Sequence, residues 1–140
     1  MLASSRWGAI PEPEPEPTNL FVIGGDGYIE SGRCSSTGAN RTDATSSFVT
    51  NYIKVSKGDT VYINGYVSPT STGAYSGIKY KDGTTGGFML ETETTIVKDF
   101  SLSNGIARVT INADNAEYVR FTIDKDNFDS IIITVNEPLS

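Results

Sequence analysis

The chain lacks histidine entirely and contains one cysteine and one tryptophan among its 140 residues. The lack of histidine excludes a Ser-His-Asp triad, a histidine-ligated metal and a histidine general base. The single cysteine, Cys34, can neither close a disulfide within the chain nor build a cysteine-rich zinc site. We therefore expect a protein that is not an enzyme and that needs no cofactor.

Basic residues and long apolar runs are also scarce. The 11 Lys and Arg residues are outnumbered by 17 Asp and Glu residues, which gives a net charge of −6. An acidic chain repels phosphate backbones and anionic lipids, and no apolar run is long enough to span a bilayer as a helix. Nucleic acid and membranes are therefore not expected partners.

Residues that favour helices are few compared with residues that favour strands. The chain has 5 Leu and 8 Ala, against 13 Ile and 9 Val. β-Branched side chains suit a pleated, half-buried surface, whereas Ala and Leu favour helices. The composition predicts an all-β protein.

Residues 18–140 contain short alternating runs separated by turn signals. In Thr60–Val67, Val61 and Ile63 share one face, and Ser103–Gly105 is a good hairpin turn. Ile131–Val135 is the most apolar run and predicts a buried strand. About seven to nine short strands at this spacing predict a single antiparallel β-sandwich or jelly roll.

Two stretches of this domain do not follow the strand pattern. Residues 18–47 are rich in Thr, Ser and Gly and predict a long loop, which either covers an edge of the sandwich or presents side chains. Both roles remain open. Asn112–Glu117 is expected to form one helical turn.

The first seventeen residues are expected to lie outside the domain. Residues 1–10 form a short peptide, and residues 11–17 alternate strictly between Pro and Glu. Proline fixes φ and disfavours the α region at the residue before it, so this run predicts a polyproline II rod of ~22 Å. Such a rod is a spacer. No apolar stretch follows Arg6, so we expect no secretory signal peptide.

The N-terminal peptide carries candidate anchoring residues. Trp7 and Arg6 are of the types enriched at binding hot spots, and Leu2 and Ile10 add apolar contacts. We predict that these four residues hold the chain on a partner. The alternative is a chain end without a binding role.

Tyrosines near the middle strands are candidate glycan contacts, because aromatic faces stack on sugar rings. These residues are Tyr62, Tyr66, Tyr75 and Tyr80. The alternative, which the pattern favours, is half-buried packing.

Two acidic groups and one glycine loop carry weaker signals. Asp124, Asp126 and Asp129 offer oxygen ligands for calcium, but the spacing is not that of an EF-hand, and a tight turn is the better interpretation. A glycosidase needs two carboxylates across a cleft, and nothing in the pattern around Glu91, Glu93 and Asp99 predicts one. Gly24–Gly27 is followed by a strand-like run, which indicates a turn and not a phosphate loop.

Three segments resemble a known class of domain. They are Thr50–Ile63, Glu117–Thr122 and Ile131–Asn136, and the resemblance extends over residues 19–137. The chain resembles the accessory β-sandwich domains of tail, baseplate and other virion proteins of tailed bacteriophages, which look like carbohydrate-binding modules and jelly rolls. The matching residues are framework positions, so the resemblance implies a kind of module and no binding residue.

This resemblance, together with the peptide and the rod, implies a virion protein. We expect a head decoration protein, made in the host cytoplasm and placed on the virion surface, whose residues 1–17 bind the major capsid protein or another virion protein. A homo-oligomer on the particle and weak contacts to host-surface or mucosal glycans are compatible with this expectation. One alternative is a tail or baseplate adaptor that recognises a host-surface glycan, and another is a free carbohydrate-binding module.

Overall fold

The computed structural model describes residues 17–139, and within them the chain is all-β with antiparallel pairing throughout. This confirms the predicted class. The strands are β1 Arg33–Cys34, β2 Asn40–Arg41, β3 Ser47–Val49, β4 Ile53–Lys54, β5 Thr60–Asn64, β6 Ser76–Tyr80, β7 Thr85–Phe88, β8 Val97–Ser103, β9 Ile106–Ile111, β10 Ala116–Arg120, β11 Thr122–Asp124 and β12 Ile132–Val135. A 3₁₀ helix, Lys125–Ser130, precedes β12.

Two four-stranded sheets share one hydrophobic core. The first sheet has the order β4-β10-β6-β7, and the second has the order β12-β5-β9-β8. Ile78 and Val119 from the first sheet and Ile63 and Val109 from the second belong to a single cluster of buried side chains. Antiparallel sheets packed on a common core are consistent with the β-sandwich class.

The second sheet follows the alternation of the sequence. Val61 and Ile63 of β5 are fully buried, whereas Tyr62 between them is half-buried. The hairpin between β8 and β9 turns at Asn104 and Gly105, whose φ values are +53° and +76°. Positive φ at both positions matches the predicted turn, which the structure confirms.

The first sheet is covered on its outer face by residues 24–41, a stretch of loop that includes the two-residue strands β1 and β2. Arg120 is buried on β10 and points away from the core. Its guanidinium donates hydrogen bonds to the carbonyl oxygens of Gly27 (2.6 Å) and Gly38 (2.9 Å) and to Oδ1 of Asn40 (2.6 Å). Residues 18–47 were expected either to cover an edge of the sandwich or to present side chains; residues 24–41 instead cover a face of the first sheet.

The chain departs from the predicted elements at two places. The sequence of residues 49–55 alternates and favours one strand, but the strand breaks between β3 and β4, where the Thr50 hydroxyl accepts from the Phe121 N–H (2.9 Å). The helical turn predicted at 112–117 is wrong, because Asn115 takes a φ of +59° and β10 begins at Ala116. The helix forms after Asp124 instead.

Candidate functional site

The chain enters the domain through a clamped segment at residues 19–22. The Asn19 side chain accepts from the N–H groups of Phe21 (3.0 Å) and Ile133 (2.9 Å) and donates to the Ile131 carbonyl (3.0 Å). The Leu20 N–H donates to the Ile133 carbonyl at 2.9 Å. Backbone groups on the outer edge of β12 are thus satisfied by the entering chain, which protects that edge.

A second asparagine holds the same segment from the other side. Asn51, which is buried, donates to the Leu20 carbonyl (3.1 Å) and accepts from the Val22 N–H (2.8 Å). Asn51 lies in the break between β3 and β4. Because the strand is interrupted there, the Asn51 side chain, and not a backbone group, makes the hydrogen bonds to Leu20 and Val22. The direction of the chain at residues 19–22 is fixed by two side-chain amides.

The anchoring residues Leu2, Arg6, Trp7 and Ile10 and most of the Pro-Glu run lie outside the described residues. The anchor and the spacer therefore remain predictions. Pro17 leads directly into the clamped segment, which is therefore the point where the spacer joins the domain.

A cleft opens at the end of the molecule where the β5–β6 and β7–β8 loops meet. Its volume is about 190 Å³. Hydroxyl groups and a few apolar side chains form its walls. Its lining includes Tyr66, Ser68, Ser76, Met89, Glu91 and Thr92.

One carboxylate is fixed in this cleft. Oε1 of Glu91 accepts from the Tyr66 hydroxyl (2.9 Å) and from the Ser68 hydroxyl (2.6 Å). Burial raises the pKa of the Tyr66 phenol well above its usual range, and the hydrogen bond to Glu91 adds to the effect. Tyr66 therefore keeps its proton and donates to Glu91, and Oε2 of Glu91 has no hydrogen-bond partner among residues 17–139.

The four tyrosines predicted to contact a glycan do not form one surface. Tyr66 is buried at the floor of the cleft, and Tyr62 lies on the outer face of the second sheet beside Arg108. Tyr75 packs on a small separate cluster, and Tyr80 is half-buried against the main core. Packing in the core explains Tyr66, Tyr75 and Tyr80, and Tyr66 also presents its hydroxyl to the cleft.

A different aromatic group, which the sequence analysis missed, lies on the outer face of the first sheet. The rings of Tyr52 and Tyr118 pack at 6.1 Å between centroids. Lys79 lies 4.5 Å and Arg120 lies 4.8 Å from the Tyr52 centroid, while Lys54 lies 5.2 Å from the Tyr118 centroid. These are cation–π distances. The signal in the sequence is a spacing of two between Tyr52 and Lys54 and between Tyr118 and Arg120.

The acidic groups weighed in the sequence analysis are not gathered into a site. Asp124 is buried and caps the 3₁₀ helix by accepting from the Asp126 N–H at 2.9 Å, whereas Asp129 is exposed. Among residues 17–139, no group of three His, Cys, Asp or Glu side chains is placed to hold a metal ion. Of the three residues considered for a glycosidase, Glu91 lines the cleft, and Glu93 accepts from the Asp99 N–H at 3.4 Å.

No protein-family model, no curated protein and no solved structure matches the chain. In the part of the chain that the structure describes, no helix has the length and hydrophobicity needed to cross a membrane.

Proposed function

We propose that this chain is a non-enzymatic structural protein of a bacteriophage virion, most specifically a decoration protein of the head. Residues 1–10 bind the capsid surface, residues 11–17 act as a spacer, and the β-domain, a sandwich with jelly-roll character, is displayed outward. The virion surface is then the site of action, and the major capsid protein or a neighbouring virion protein is the partner.

The clamped segment is the observation that supports this proposal best. A spacer controls distance only if its junction with the displayed domain does not swivel. Asn19 and Asn51 together make five hydrogen bonds to the segment 20–22 and to the edge of β12. A free linker needs no such bonds, whereas a rod that sets the position of a domain does.

The anchor can be tested by occupancy on particles. Particles that lack the chain are incubated with purified full-length protein, with a variant lacking residues 1–10, and with a control lacking only Pro11–Glu14. We expect the first deletion to abolish binding, because Trp7 and Arg6 are removed. The control keeps the peptide and is expected to bind, with the domain closer to the shell. Equal occupancy of all three proteins would refute the anchor.

A second candidate function is recognition of a host-surface glycan by a tail or baseplate adaptor. The cleft favours it, because Glu91 is oriented by two hydroxyls and lies near the exposed apolar side chain of Met89. A sugar ring presents hydroxyls and apolar C–H faces together. The volume of about 190 Å³ is below the roughly 300–1,000 Å³ of drug-sized sites, which limits the ligand to about one ring.

Glycan binding can be tested with the full chain on a glycan array. Glu91→Gln keeps an acceptor for Tyr66 and Ser68 but removes the charge, and charge-assisted hydrogen bonds are about twice as strong as neutral ones. We expect about a tenfold loss of affinity, whereas Tyr62→Phe on the second sheet should have no effect. Absence of binding by the parent chain would remove this candidate.

A further inference from the structure

An exposed apolar patch lies directly after the clamped segment. Val22 and Ile23 are 54% and 63% exposed, and they are two of the four large apolar side chains that are exposed among the described residues. Adjacent exposed apolar residues next to a groove are characteristic of an interaction surface. The domain gains nothing in stability from leaving them in water.

The patch borders a groove of about 420 Å³, which we name the aromatic groove. Its lining consists of Ile23, Tyr28, Glu30, Ser31, Lys125 and Phe128. The groove is supported from below, since the Phe21 ring lies 6.1 Å from that of Tyr28 and 5.9 Å from that of Phe128. Lys125 Nζ donates to the Ser31 hydroxyl, so the polar wall is held as well.

We propose that the aromatic groove binds Trp7 of a second copy of this chain. A tryptophan side chain buries about 150–250 Å² and fits a groove of this size, which offers Tyr28 and Phe128 as aromatic partners. Arg6 precedes Trp7, and the exposed Glu30 carboxylate lies in the same groove. The groove therefore matches the peptide in apolar character, and Glu30 offers a carboxylate to Arg6, while Lys125 in the same lining donates to Ser31.

The length of the chain before residue 17 favours exchange between copies over docking within one copy. The predicted Pro-Glu rod carries Pro11 ~22 Å from its junction, and the four residues from Pro11 back to Trp7 span at most ~14 Å. A return to the groove of the same copy would force the rod to lie along its own domain. A neighbour's groove imposes no such restriction, and reciprocal exchange between two copies gives a closed, twofold dimer.

This inference concerns free protein before it meets a particle, and it goes beyond the proposed function. The peptide that anchors the chain on a virion is kept covered on a second copy until a partner competes for it. The two claims fail separately, because Ile23→Ser alters the groove and leaves the particle-binding residues 1–17 unchanged.

The test uses the full chain and the fluorescence of Trp7, the single tryptophan. We expect a dimer by analytical ultracentrifugation, blue-shifted emission in the dimer, and a red shift on dilution. Ile23→Ser should weaken the dimer at least tenfold, and Trp7→Ala should abolish it. Leu102→Ser, which replaces another exposed apolar residue, 51% exposed and on β8, is the matched control and should leave the dimer intact.

Three results would overturn the inference. The first is a monomer with water-exposed Trp7 emission at all concentrations. The second is a blue-shifted emission that does not change with dilution, which would mean docking within one copy. The third is a dimer equally affected by Ile23→Ser and Leu102→Ser. At saturating protein concentration, particle occupancy of the Ile23→Ser variant should equal that of the parent chain.

Discussion

The outer faces of the two four-stranded sheets differ in their exposure to solvent. The outer face of the second sheet is partly open to solvent, with Tyr62 half-buried and Arg108 exposed. The outer face of the first sheet lies under residues 24–41, which are held by Arg120. The second sheet therefore has one face in the core and one face partly exposed to solvent, whereas the first sheet is covered on both faces.

The difference shows how a buried cation can organise a loop. Arg120 makes hydrogen bonds to residues from Gly27 to Asn40, and the Tyr52 ring packs against its guanidinium. Its Nε is buried and has no partner among the described residues. A buried guanidinium without a carboxylate costs desolvation energy, which the three oxygen acceptors and the ring offset in part. The loop is thereby fixed.

The largest expected effect is that of Arg120→Met. The substitution leaves Gly27 O, Gly38 O and Asn40 Oδ1 without their donor, and of these three residues only Gly38 is buried. A buried acceptor without a partner costs about 1–3 kcal/mol and a partly exposed one costs less, so we expect the free energy of unfolding in urea to fall by about 2–4 kcal/mol. Arg108→Met on the open sheet should change it by no more than about 0.5 kcal/mol. Similar losses for both variants would contradict the contrast between the sheets.

The next largest loss of stability is expected for a substitution in β7, because residues 24–41 pack closely against this strand. A Cβ at Gly87 would lie 2.5 Å from the Ser35 carbonyl oxygen, whereas a Cβ at Gly86 meets nothing closer than 3.5 Å. Gly87→Ala must therefore displace the loop and should cost about 1–3 kcal/mol in thermal unfolding. Gly86→Ala, its neighbour and control, should cost clearly less. The reverse order would show that the loop is not packed on β7.

A smaller effect is expected for the aromatic residues. Tyr52→Leu removes the ring that lies under Arg120 and Lys79, and cation–π contacts of this kind contribute about 0.5–2 kcal/mol each. Tyr62→Leu on the open sheet removes no such contact that the structure records. Chemical denaturation should give a loss of about 1–2 kcal/mol for the first variant and less than about 1 kcal/mol for the second. Equal losses would mean that the stack on the first sheet does not stabilise the fold.

The smallest loss of stability is expected for a substitution of Tyr66 in the cleft. The pKa of Tyr66 is raised on folding, so above about pH 10 the unfolded chain loses this proton while the folded chain keeps it. The stability is thus fully present below pH 10 and falls as the pH rises. Tyr66→Phe should cost about 1 kcal/mol at pH 8 and should make the decline above pH 10 shallower. An unchanged slope would argue against the burial of this phenol.

The sequence predicted the second sheet better than the first for a physical reason. Alternation appears where one face is buried and the other is wet, as in β5 and β9, and Asn104-Gly105 specifies its own turn. Arg120 is bonded to residues more than 75 positions earlier, and no local pattern carries that information. The cleft was missed for the same reason, because Tyr66 and Glu91 are joined only by the meeting of two loops.

Cryo-electron microscopy of particles that carry this chain would show directly whether residues 1–10 hold the β-domain on the capsid. We expect density for the β-domain outside the capsid shell, density for residues 1–10 on the shell surface, and a straight connection of ~22 Å between them. Domain density on the particle with no contact by residues 1–10, or density at the tail tip only, would contradict the proposed decoration role.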